Sequence, residues 1–213
     1  SMRVAGMGQT NKGLWHNNLD GKTYGGADDY AGRVSLKADL GSLTWIVRGD
    51  YAKSKGDGYG PTEFNYDTIS AGQAAVFNGT QMAFSGTHTD DVLFDRNVNQ
   101  VITADYKDVH WGVSSDASLD VGSFTFRLIN SYRDWDTTQL DGDVLFTTIP
   151  MVQRTVGYTS KSQNHELQII SPQNELLGGK LDFVAGLYYF QEDYTIDEKL
   201  TFYGQFCNVL LSA

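Results

Sequence analysis

The sequence predicts an all-β protein, an antiparallel meander of about seven strands. Two observations predict this fold class. Apolar and polar residues alternate with a period of two over several stretches, which is typical of strands whose two faces meet different surroundings. The composition combines 13% aromatic residues and 23 glycines with only 3 prolines among 213 residues, which suits many strands joined by turns.

The first predicted elements are a strand that starts at Arg3 and, further along, a hairpin. Because alternation starts almost at the first residue, the chain opens inside a strand and is expected to be an excerpt of a longer protein. Asp29 to Leu40 gives the clearest alternation. A short turn at Gly41-Ser42 leads into a second alternating segment, Leu43 to Lys53, and together they predict a tight hairpin.

Two further pairs of strands follow. Val109 to Val121 turns into Phe124 to Arg133, and this pair predicts a second hairpin. The third pair runs from about Ser160 to Ser171 and from about Lys180 to Tyr194. Its strands are joined through residues 172–175, which include the turn formers Pro and Asn. With the strand at Arg3, these segments give the meander of about seven strands.

The connections between these strands alternate between short turns and long polar stretches. Short turns follow Leu40, Val121 and Ser171, and the long stretches run over about Asn11 to Asp28, Ser54 to Asp108, Asp136 to Thr159, and Thr195 to the end. Short periplasmic turns, long extracellular loops and strands of about 9 to 11 residues are typical of outer-membrane barrels. The pattern therefore predicts a segment of a large transmembrane β-barrel.

Aromatic residues near the strand ends favour the same interpretation. Trp45 and Phe124 lie just beyond the short turns, while Tyr51 and Tyr132 lie on the same faces near the other ends. Aromatic girdles occupy such positions at membrane interfaces. A soluble or secreted β-sandwich that binds a ligand is the alternative, because a sheet packed on a core alternates in the same way. A passive porin is a third, weaker hypothesis.

The register predicts which residues face lipid and which face a lumen. The residues expected to face lipid are Val34, Leu36, Trp45, Val47, Trp111, Val113, Phe126 and Leu128. The charged residues expected on the opposite face are Arg33, Lys37, Arg48, Asp50, Asp116, Arg127, Arg133 and Glu166. Their mixed sign favours cross-strand ion pairing over ligand contact for any one of them.

Five stretches, taken in order, resemble a known family. Asp28 to Leu36, Arg48 to Tyr51, Ser123 to Arg133, Asn164 to Pro172 and Leu181 to Phe190 resemble the barrel strands of TonB-dependent outer-membrane receptors. The resemblance covers nearly all regular segments between Asp28 and Tyr194. It implies a location in the bacterial outer membrane and a barrel of about 22 strands closed by an N-terminal plug.

The resemblance also implies a function and partners. Such receptors import a siderophore or another scarce nutrient with energy delivered by TonB. Residues 1–213 would then be a partial β-barrel domain of a larger receptor, without its plug and its C-terminal closing strand. The expected partners are the rest of the same receptor, TonB through the absent plug, outer-membrane lipid and a small nutrient ligand.

The composition and the motifs exclude several kinds of chemistry. The 16 basic and 26 acidic residues give a net charge of −10, which argues against nucleic acid as a partner because a phosphate backbone requires a basic stripe. The mean hydropathy of −0.35 and the lack of a long apolar run exclude a transmembrane helix. A single cysteine, Cys207, permits no disulfide framework. No catalytic constellation appears, so neither an enzyme nor a cofactor is expected.

Other candidate sites have simpler explanations in the sequence. The four histidines, His16, His88, His110 and His165, lack the spacing of a zinc site. The acidic groups Asp28-Asp29, Asp90-Asp91 and Asp141-Gly142-Asp143 lack the spacing of a calcium-binding EF-hand and are expected to be solvated loop carboxylates. Gly56 to Gly60 opens no helix, so it does not predict a phosphate loop. Exposed loop aromatics, of a kind that can grip a ligand, are Trp15, Tyr59, Phe64, Tyr66, Phe77 and Phe84. No binding residue is singled out among them.

Overall fold

The computed structural model describes residues 1–57, 70–89, 94–101 and 103–211, and most of them belong to one antiparallel sheet. The elements in chain order are β1 (Met2–Asn11), β2 (Trp15–Asn17), β3 (Lys22–Tyr24), β4 (Ala27–Leu40), β5 (Leu43–Gly56), α1 (Ala71–Ser85), β6 (Asn97–Val98), β7 (Asp105–Val121), β8 (Phe124–Asp143), β9 (Val152–Ile170), β10 (Val184–Phe202) and α2 (Gly204–Leu211). The large sheet has the order β1-β4-β5-β7-β8-β9-β10. Each long strand thus pairs with the next, and the predicted meander is confirmed.

Two of the predicted tight turns have the same local cause. Leu40 pairs with Leu43, and Val121 pairs with Phe124, so each turn is a two-residue Gly-Ser loop. Gly41 has a φ of 68° and Gly122 a φ of 61°, in the left-handed region that glycine enters without the cost that a Cβ would add. Glycine at the first loop position is typical of tight hairpins. These two residues fix the register of both hairpins.

The register divides the large sheet into an apolar face and a polar face. Directly opposed residues share a face, and Leu36 opposes Val47 while Tyr51 opposes Trp111. The apolar face is defined by these residues and their alternate neighbours on every strand. It carries all eight residues predicted to share one face: Val34, Leu36, Trp45, Val47, Trp111, Val113, Phe126 and Leu128. In the described residues no second sheet packs on this face, which disagrees with a sandwich.

Several strands extend further than the sequence predicts. β8 runs to Asp143 and β9 begins at Val152, so the connection predicted over residues 136–159 spans only residues 144–151. β10 continues to Phe202, although the sequence predicts a loop from Thr195 onward. In the extensions of β9 and β10 the apolar residues change face: Val156 and Tyr158, with Ile196 and Leu200, lie on the polar face, where Arg154 and Glu198 interrupt them. The alternation therefore does not continue the pattern of the preceding strand. Backbone pairing with the neighbouring strands continues nevertheless.

The third predicted pair has a longer connection than expected. β10 begins at Val184 rather than near Lys180, and the connection from β9 covers residues 171–183. Within it, Leu176 and Leu181 form an isolated bridge. The turn formers Pro172 and Asn174 therefore start a loop rather than a tight turn, and Asn174 has a positive φ of 59°.

The long connections fold into a separate layer at one end of the sheet, which we call the cap. The cap comprises the described residues within 12–26, 70–101 and 144–151. Its small sheet has the order β3-β2-β6. Asn17 Nδ2 donates to the carbonyl of Gln100 at 2.8 Å, and the amide of Val101 donates to the carbonyl of Thr147 at 3.1 Å. Three connections are thereby tied together.

The helix of the cap has clear start and stop signals. Ser70 is its N-cap: the Gln73 amide donates to Ser70 Oγ at 3.2 Å, while the Ser70 amide donates to Gln73 Oε1 at 3.1 Å. This reciprocal capping box satisfies two donors that the helix leaves unpaired. Gly86 ends the helix with a φ of 75°. No helix among the described residues is long and apolar enough to cross a membrane.

Candidate functional site on the polar face of the sheet

The polar face is held together by cross-strand ion pairs. Arg127 on β8 grips Asp116 on β7 with two bonds, Nε to Oδ1 at 2.9 Å and Nη2 to Oδ2 at 2.6 Å. Asp50 on β5 lies between two guanidinium groups, 3.2 Å from Arg133 and 3.6 Å from Arg33. The mixed charges predicted for this face thus pair across strands, as planar guanidinium groups do with carboxylates.

The remaining charged residues predicted for this face have local partners. Lys37 Nζ lies 2.9 Å from Asp39, and Glu166 accepts a hydrogen bond from Gln168 Nε2 at 2.5 Å. Arg48 lies opposite Ser35 and Ser114 in the register. It lines a cavity of about 480 Å³ together with Arg3, Arg33, Asp50 and His110. This part of the polar face is rich in guanidinium groups.

Three aromatic side chains from adjacent strands form a cluster nearer the cap, which we call the aromatic platform. It consists of Trp135 on β8, Tyr158 on β9 and Tyr194 on β10. Its ring centroids are 6.2 to 6.5 Å apart, and its ring planes differ by only 9 to 22°. Ser160 lies directly opposite both Trp135 and Tyr194, and Tyr158 is two residues before Ser160 on the same face of β9, so the three strands bring these rings together on the polar face.

Polar groups fix the surroundings of the platform. Trp135 Nε1 donates to Asp108 Oδ2 at 2.6 Å, and Ser160 Oγ donates to Glu192 Oε1 at 2.6 Å. Arg154 donates to Asp141 at 2.5 Å and to Glu198 at 2.7 Å. The hydrogen bond from Arg154 lowers the pKa of Glu198, so this contact persists to a lower pH than an unpaired glutamate would allow.

A second cavity adjoins the platform. It measures about 390 Å³ and is lined by Ser54, Tyr106, Asp108 and Thr137, among others. Ser54 Oγ donates to Asp29 Oδ1 at 2.5 Å and lies 2.8 Å from the hydroxyl of Tyr106. Flat apolar rings, hydroxyls and carboxylates thus meet at one level. Such a surface can stack a planar group and hydrogen-bond its edge.

The histidines are scattered, as their spacing predicts. His88 Nδ1 contacts the carbonyl of Thr89 at 2.8 Å, His165 contacts Asn130 at 2.7 Å, and His110 lies 3.5 Å from Asp108. His16 is on β2 in the cap. In the described part of the chain, no group of three or more His, Cys, Asp or Glu side chains is gathered in a way that could hold a metal ion.

The predicted acidic groups have different outcomes. Asp28 pairs with Lys55 at 3.4 Å, and Asp141 pairs with Arg154. Asp90 and Asp91 lie outside the described residues. For Asp143 the predicted solvated position is wrong: it is only 2% exposed and accepts hydrogen bonds from the amides of Thr147 and Val152. The connection therefore closes around this carboxylate, which accepts from one amide within the connection and from one at the start of β9.

The predicted loop aromatics are dispersed. Trp15 is half-buried in β2, while Phe77 and Phe84 lie on α1, with Phe84 exposed. Tyr59, Phe64 and Tyr66 lie outside the described residues. The sequence analysis missed the aromatic platform, because Tyr158 falls in a segment predicted to be a loop. The signal was three aromatic residues at polar-face positions, which only the strand register brings together.

A comparison with solved structures identifies a similar fold. The ferric yersiniabactin uptake receptor FyuA from Yersinia pestis matches with a TM-score of 0.67 and 12% sequence identity. The match covers 94% of this chain and 27% of the receptor chain. No family model and no curated protein sequence matches the chain. The chain therefore has the fold of part of a TonB-dependent receptor barrel, in agreement with the resemblance, and spans about a quarter of that receptor's length.

Proposed function

We propose that residues 1–213 are a partial barrel domain of a larger TonB-dependent outer-membrane transporter that imports a siderophore or another scarce nutrient. The chain would supply wall strands and extracellular loops. The observation that carries this proposal is the uncharged band on the apolar face. Its height, its borders and its position relative to the cap all match what a bilayer requires.

The band has the height of a membrane core. On the apolar face, no charged residue occurs over Tyr30–Leu40 of β4, Leu43–Tyr51 of β5, Val109–Val121 of β7 and Phe124–Tyr132 of β8, which are nine to thirteen residues each. A tilted strand crosses the hydrocarbon core in about 9 to 11 residues. The band is shorter on β9 and β10, because Lys161 and Asp193 lie on the apolar face at the level of Asp134 of β8.

The borders of the band are aromatic and then charged. Trp111 and Tyr132 pack with ring centroids 5.4 Å apart at the border nearer the cap, and Phe124 and Phe183 pack at 6.4 Å near the short turns. Beyond the border the apolar face carries Lys53 and two cross-strand pairs: Asp28 with Lys55 at 3.4 Å and Asp134 with Lys161 at 3.9 Å. This succession follows the polarity profile of a membrane interface.

The band is exposed in the isolated chain. Leu187 is 75% exposed, and Val34, Leu36, Val113 and Leu128 are all exposed on the same face. Soluble monomers rarely leave contiguous apolar patches larger than a few hundred Å² in contact with water. Lipid acyl chains would cover this face without requiring any protein partner.

The other surfaces of the sheet require protein partners. β1 and β10 are its two edges, and unpaired backbone groups in hydrocarbon cost several kcal/mol each. The rest of the same receptor would supply the missing strands, and its plug would fill the lumen beside the ion-paired polar face. Energy from TonB would act through that plug. The short turns would then be periplasmic and the cap extracellular.

Uptake by the full-length receptor tests this proposal. The complete coding sequence, expressed in a bacterium that lacks its own siderophore receptors, is expected to restore uptake of a radiolabelled ferric siderophore from a panel. Uptake should stop when TonB is deleted. Uptake that continues without TonB would indicate a passive pore, and a full-length protein that stays monodisperse without detergent would indicate a soluble module. Either result contradicts the proposal.

A further inference from the structure

The aromatic platform lies in a surplus of negative charge. Asp108 accepts a hydrogen bond from the indole of Trp135. Glu192 accepts one from Ser160, which lies opposite both Trp135 and Tyr194 in the register. Asp141 on β8 and Glu198 on β10 both accept hydrogen bonds from Arg154 on β9. Four carboxylates therefore lie on or beside the platform strands, against the guanidinium group of Arg154, which also hydrogen-bonds Tyr158.

The neighbouring guanidinium groups are already engaged. Arg154 donates to both Asp141 and Glu198, at 2.5 and 2.7 Å. Arg133, two residues before Trp135 on β8, is directed to Asp50 at 3.2 Å on the far side of β7. An anionic group at the platform would have to displace a carboxylate from one of these pairs. It would also meet the repulsion of the remaining carboxylates.

The rings themselves favour a cationic or neutral planar group. Tyr194 is 51% exposed, so at least one ring of the platform is accessible to a ligand. The face of an aromatic ring carries a negative potential, which attracts a cation and tolerates a neutral ring. The near-parallel planes of the three rings give a flat ligand one common stacking direction.

We propose that the aromatic platform binds a ligand through a planar ring that is neutral or positively charged, and that it discriminates against anionic ligands. This inference rests on the proposed function, because it names the class of ligand that the barrel would admit. The carboxylates act by setting the sign of the field over the rings. Asp108 is a positioning residue, since it holds the indole of Trp135.

Two probes with the same ring system and opposite charge test this inference. Equilibrium dialysis of the detergent-solubilised full-length receptor at pH 7.5 would measure binding of 1-methylquinolinium and of quinoline-2-carboxylate. The cation is expected to bind about tenfold more tightly than the anion, because ring faces and carboxylates both attract it. Equal affinities, or tighter binding of the anion, would overturn the proposal.

Variants assign the binding to the platform. Tyr194→Ala should weaken binding of the cation about fivefold, while Tyr194→Phe keeps the ring and should retain binding. Tyr189→Ala, on the opposite face of the same strand, is the matched control and should leave binding unchanged. The double variant Asp141→Asn, Glu198→Gln removes both carboxylate partners of Arg154 and should reduce or reverse the preference for the cation.

Failure of this inference can be distinguished from failure of the proposed transport function. Each variant is checked for folding by the mobility shift that an intact barrel shows on unheated gels. If Tyr194→Ala folds and binds the cation as the unsubstituted receptor does, the platform is not the binding surface. Uptake that still depends on TonB would leave the transporter proposal standing in that case.

Discussion

The large sheet and the cap of this chain are stabilised in opposite ways. Both faces of the sheet are largely accessible, and the strands are joined mainly by their backbone ladders and by ion pairs on one face. Apart from Pro172, the cap and the adjoining strand ends hold every buried apolar side chain among the described residues: Val98, Ile149, Met151, Val152 and Val156. The sheet therefore depends on its surroundings for burial, whereas the cap buries its own residues.

Under the proposed function, this difference suits a chain that meets two solvents. A sheet that meets lipid on one face needs no packed core of its own, because the bilayer covers the apolar side chains. A cap that meets water must gather a small core and satisfy its buried polar groups internally. Asp143, Gln81 and Asn17 do this with side-chain hydrogen bonds to the backbone.

The strongest effect is expected when residues 1–213 are produced alone: they should form no pore that conducts ions. Their seven strands leave β1 and β10 unpaired, so the sheet should aggregate, find partner strands or fold poorly. Planar-bilayer recordings should show no discrete conductance. A well-ordered soluble monomer, or a steady single-channel current, would mean that the sheet does not depend on the rest of a barrel.

A charge placed on the apolar face should have the next largest effect. Val47→Arg is expected to cost about 2 to 4 kcal/mol near the middle of the bilayer in the full-length receptor. Ser35→Arg on the polar face should be far milder, although Ser35 lies opposite Arg3 and Arg48. Ser131 avoids that repulsion and lies at the same level, so Ser131→Arg is the better control.

The amount of folded receptor in outer-membrane fractions measures this effect. The unfolding free energy in lipid vesicles, from denaturant titration, gives its magnitude. If Val47→Arg and Ser131→Arg reduce folding equally, the assignment of the two faces is wrong.

Removal of the buried carboxylate of Asp143, which lies beside the cap at the end of β8, should have a smaller and local effect. Asp143 accepts from the amides of Thr147 and Val152, at 3.0 and 3.2 Å, and from the Thr147 hydroxyl. Asp143→Ala should destabilise the connection 144–151 by about 2 kcal/mol, since hydrogen bonds to a charged group contribute roughly that much. Asp136→Ala, at an exposed carboxylate of β8, is the control.

Hydrogen exchange measured by mass spectrometry locates this effect. Peptides from residues 144–152 should exchange faster in Asp143→Ala, while peptides from the band of β8 should not change. Faster exchange throughout the sheet would show that the cap and the sheet unfold as one unit, against the comparison drawn above.

The contact between α1 and the β8–β9 connection should give the smallest effect. Gln81 is 1% exposed, and its Oε1 accepts from the amides of Thr148 and Thr89 at 2.9 and 3.2 Å. Its Nε2 has no partner within the described residues. Gln81→Ala removes the one oxygen that accepts from both amides, but it also removes an unsatisfied NH2 donor group, so we expect a net loss of about 1 kcal/mol.

Limited proteolysis measures how far Gln81→Ala weakens the attachment of α1. Cleavage within α1 should accelerate in Gln81→Ala and remain unchanged in Gln73→Glu, which keeps an acceptor for the N-cap of the helix. Protection of α1 in Gln81→Ala equal to that of the unsubstituted receptor would show that other contacts hold the helix.

The sequence predicts the band of the sheet well, for a physical reason. From Tyr30 to Leu40 and from Leu43 to Tyr51 the two faces meet different surroundings, so alternation marks the strands and the face of each residue. Beyond Asp134 apolar residues such as Val156, Tyr158 and Ile196 occupy the polar face, so the pattern of the band is not continued. The extensions of β8, β9 and β10 are therefore hard to predict, although their backbones remain paired.

The candidate site could be predicted only in part. The ion pair of Asp116 with Arg127 follows from charges on neighbouring strands of one hairpin. The aromatic platform joins three strands, and its existence depends on the register of β9 and β10, which the sequence placed approximately. Likewise, burial of Asp143 depends on how tightly the connection closes, and no local pattern reports that.

The central claim is that the sheet crosses a membrane with its cap outside and its short turns inside. The direct test replaces Cys207 and introduces single cysteines into the full-length receptor in intact cells. Ser42 and Ser123 serve for the short turns, because Gly41 and Gly122 need a positive φ, and Gly72 serves for the exposed start of α1. We predict that a membrane-impermeant maleimide labels Gly72→Cys and leaves Ser42→Cys and Ser123→Cys unlabelled until the cells are lysed. Labelling of the turns from outside, with Gly72→Cys protected, would contradict the account.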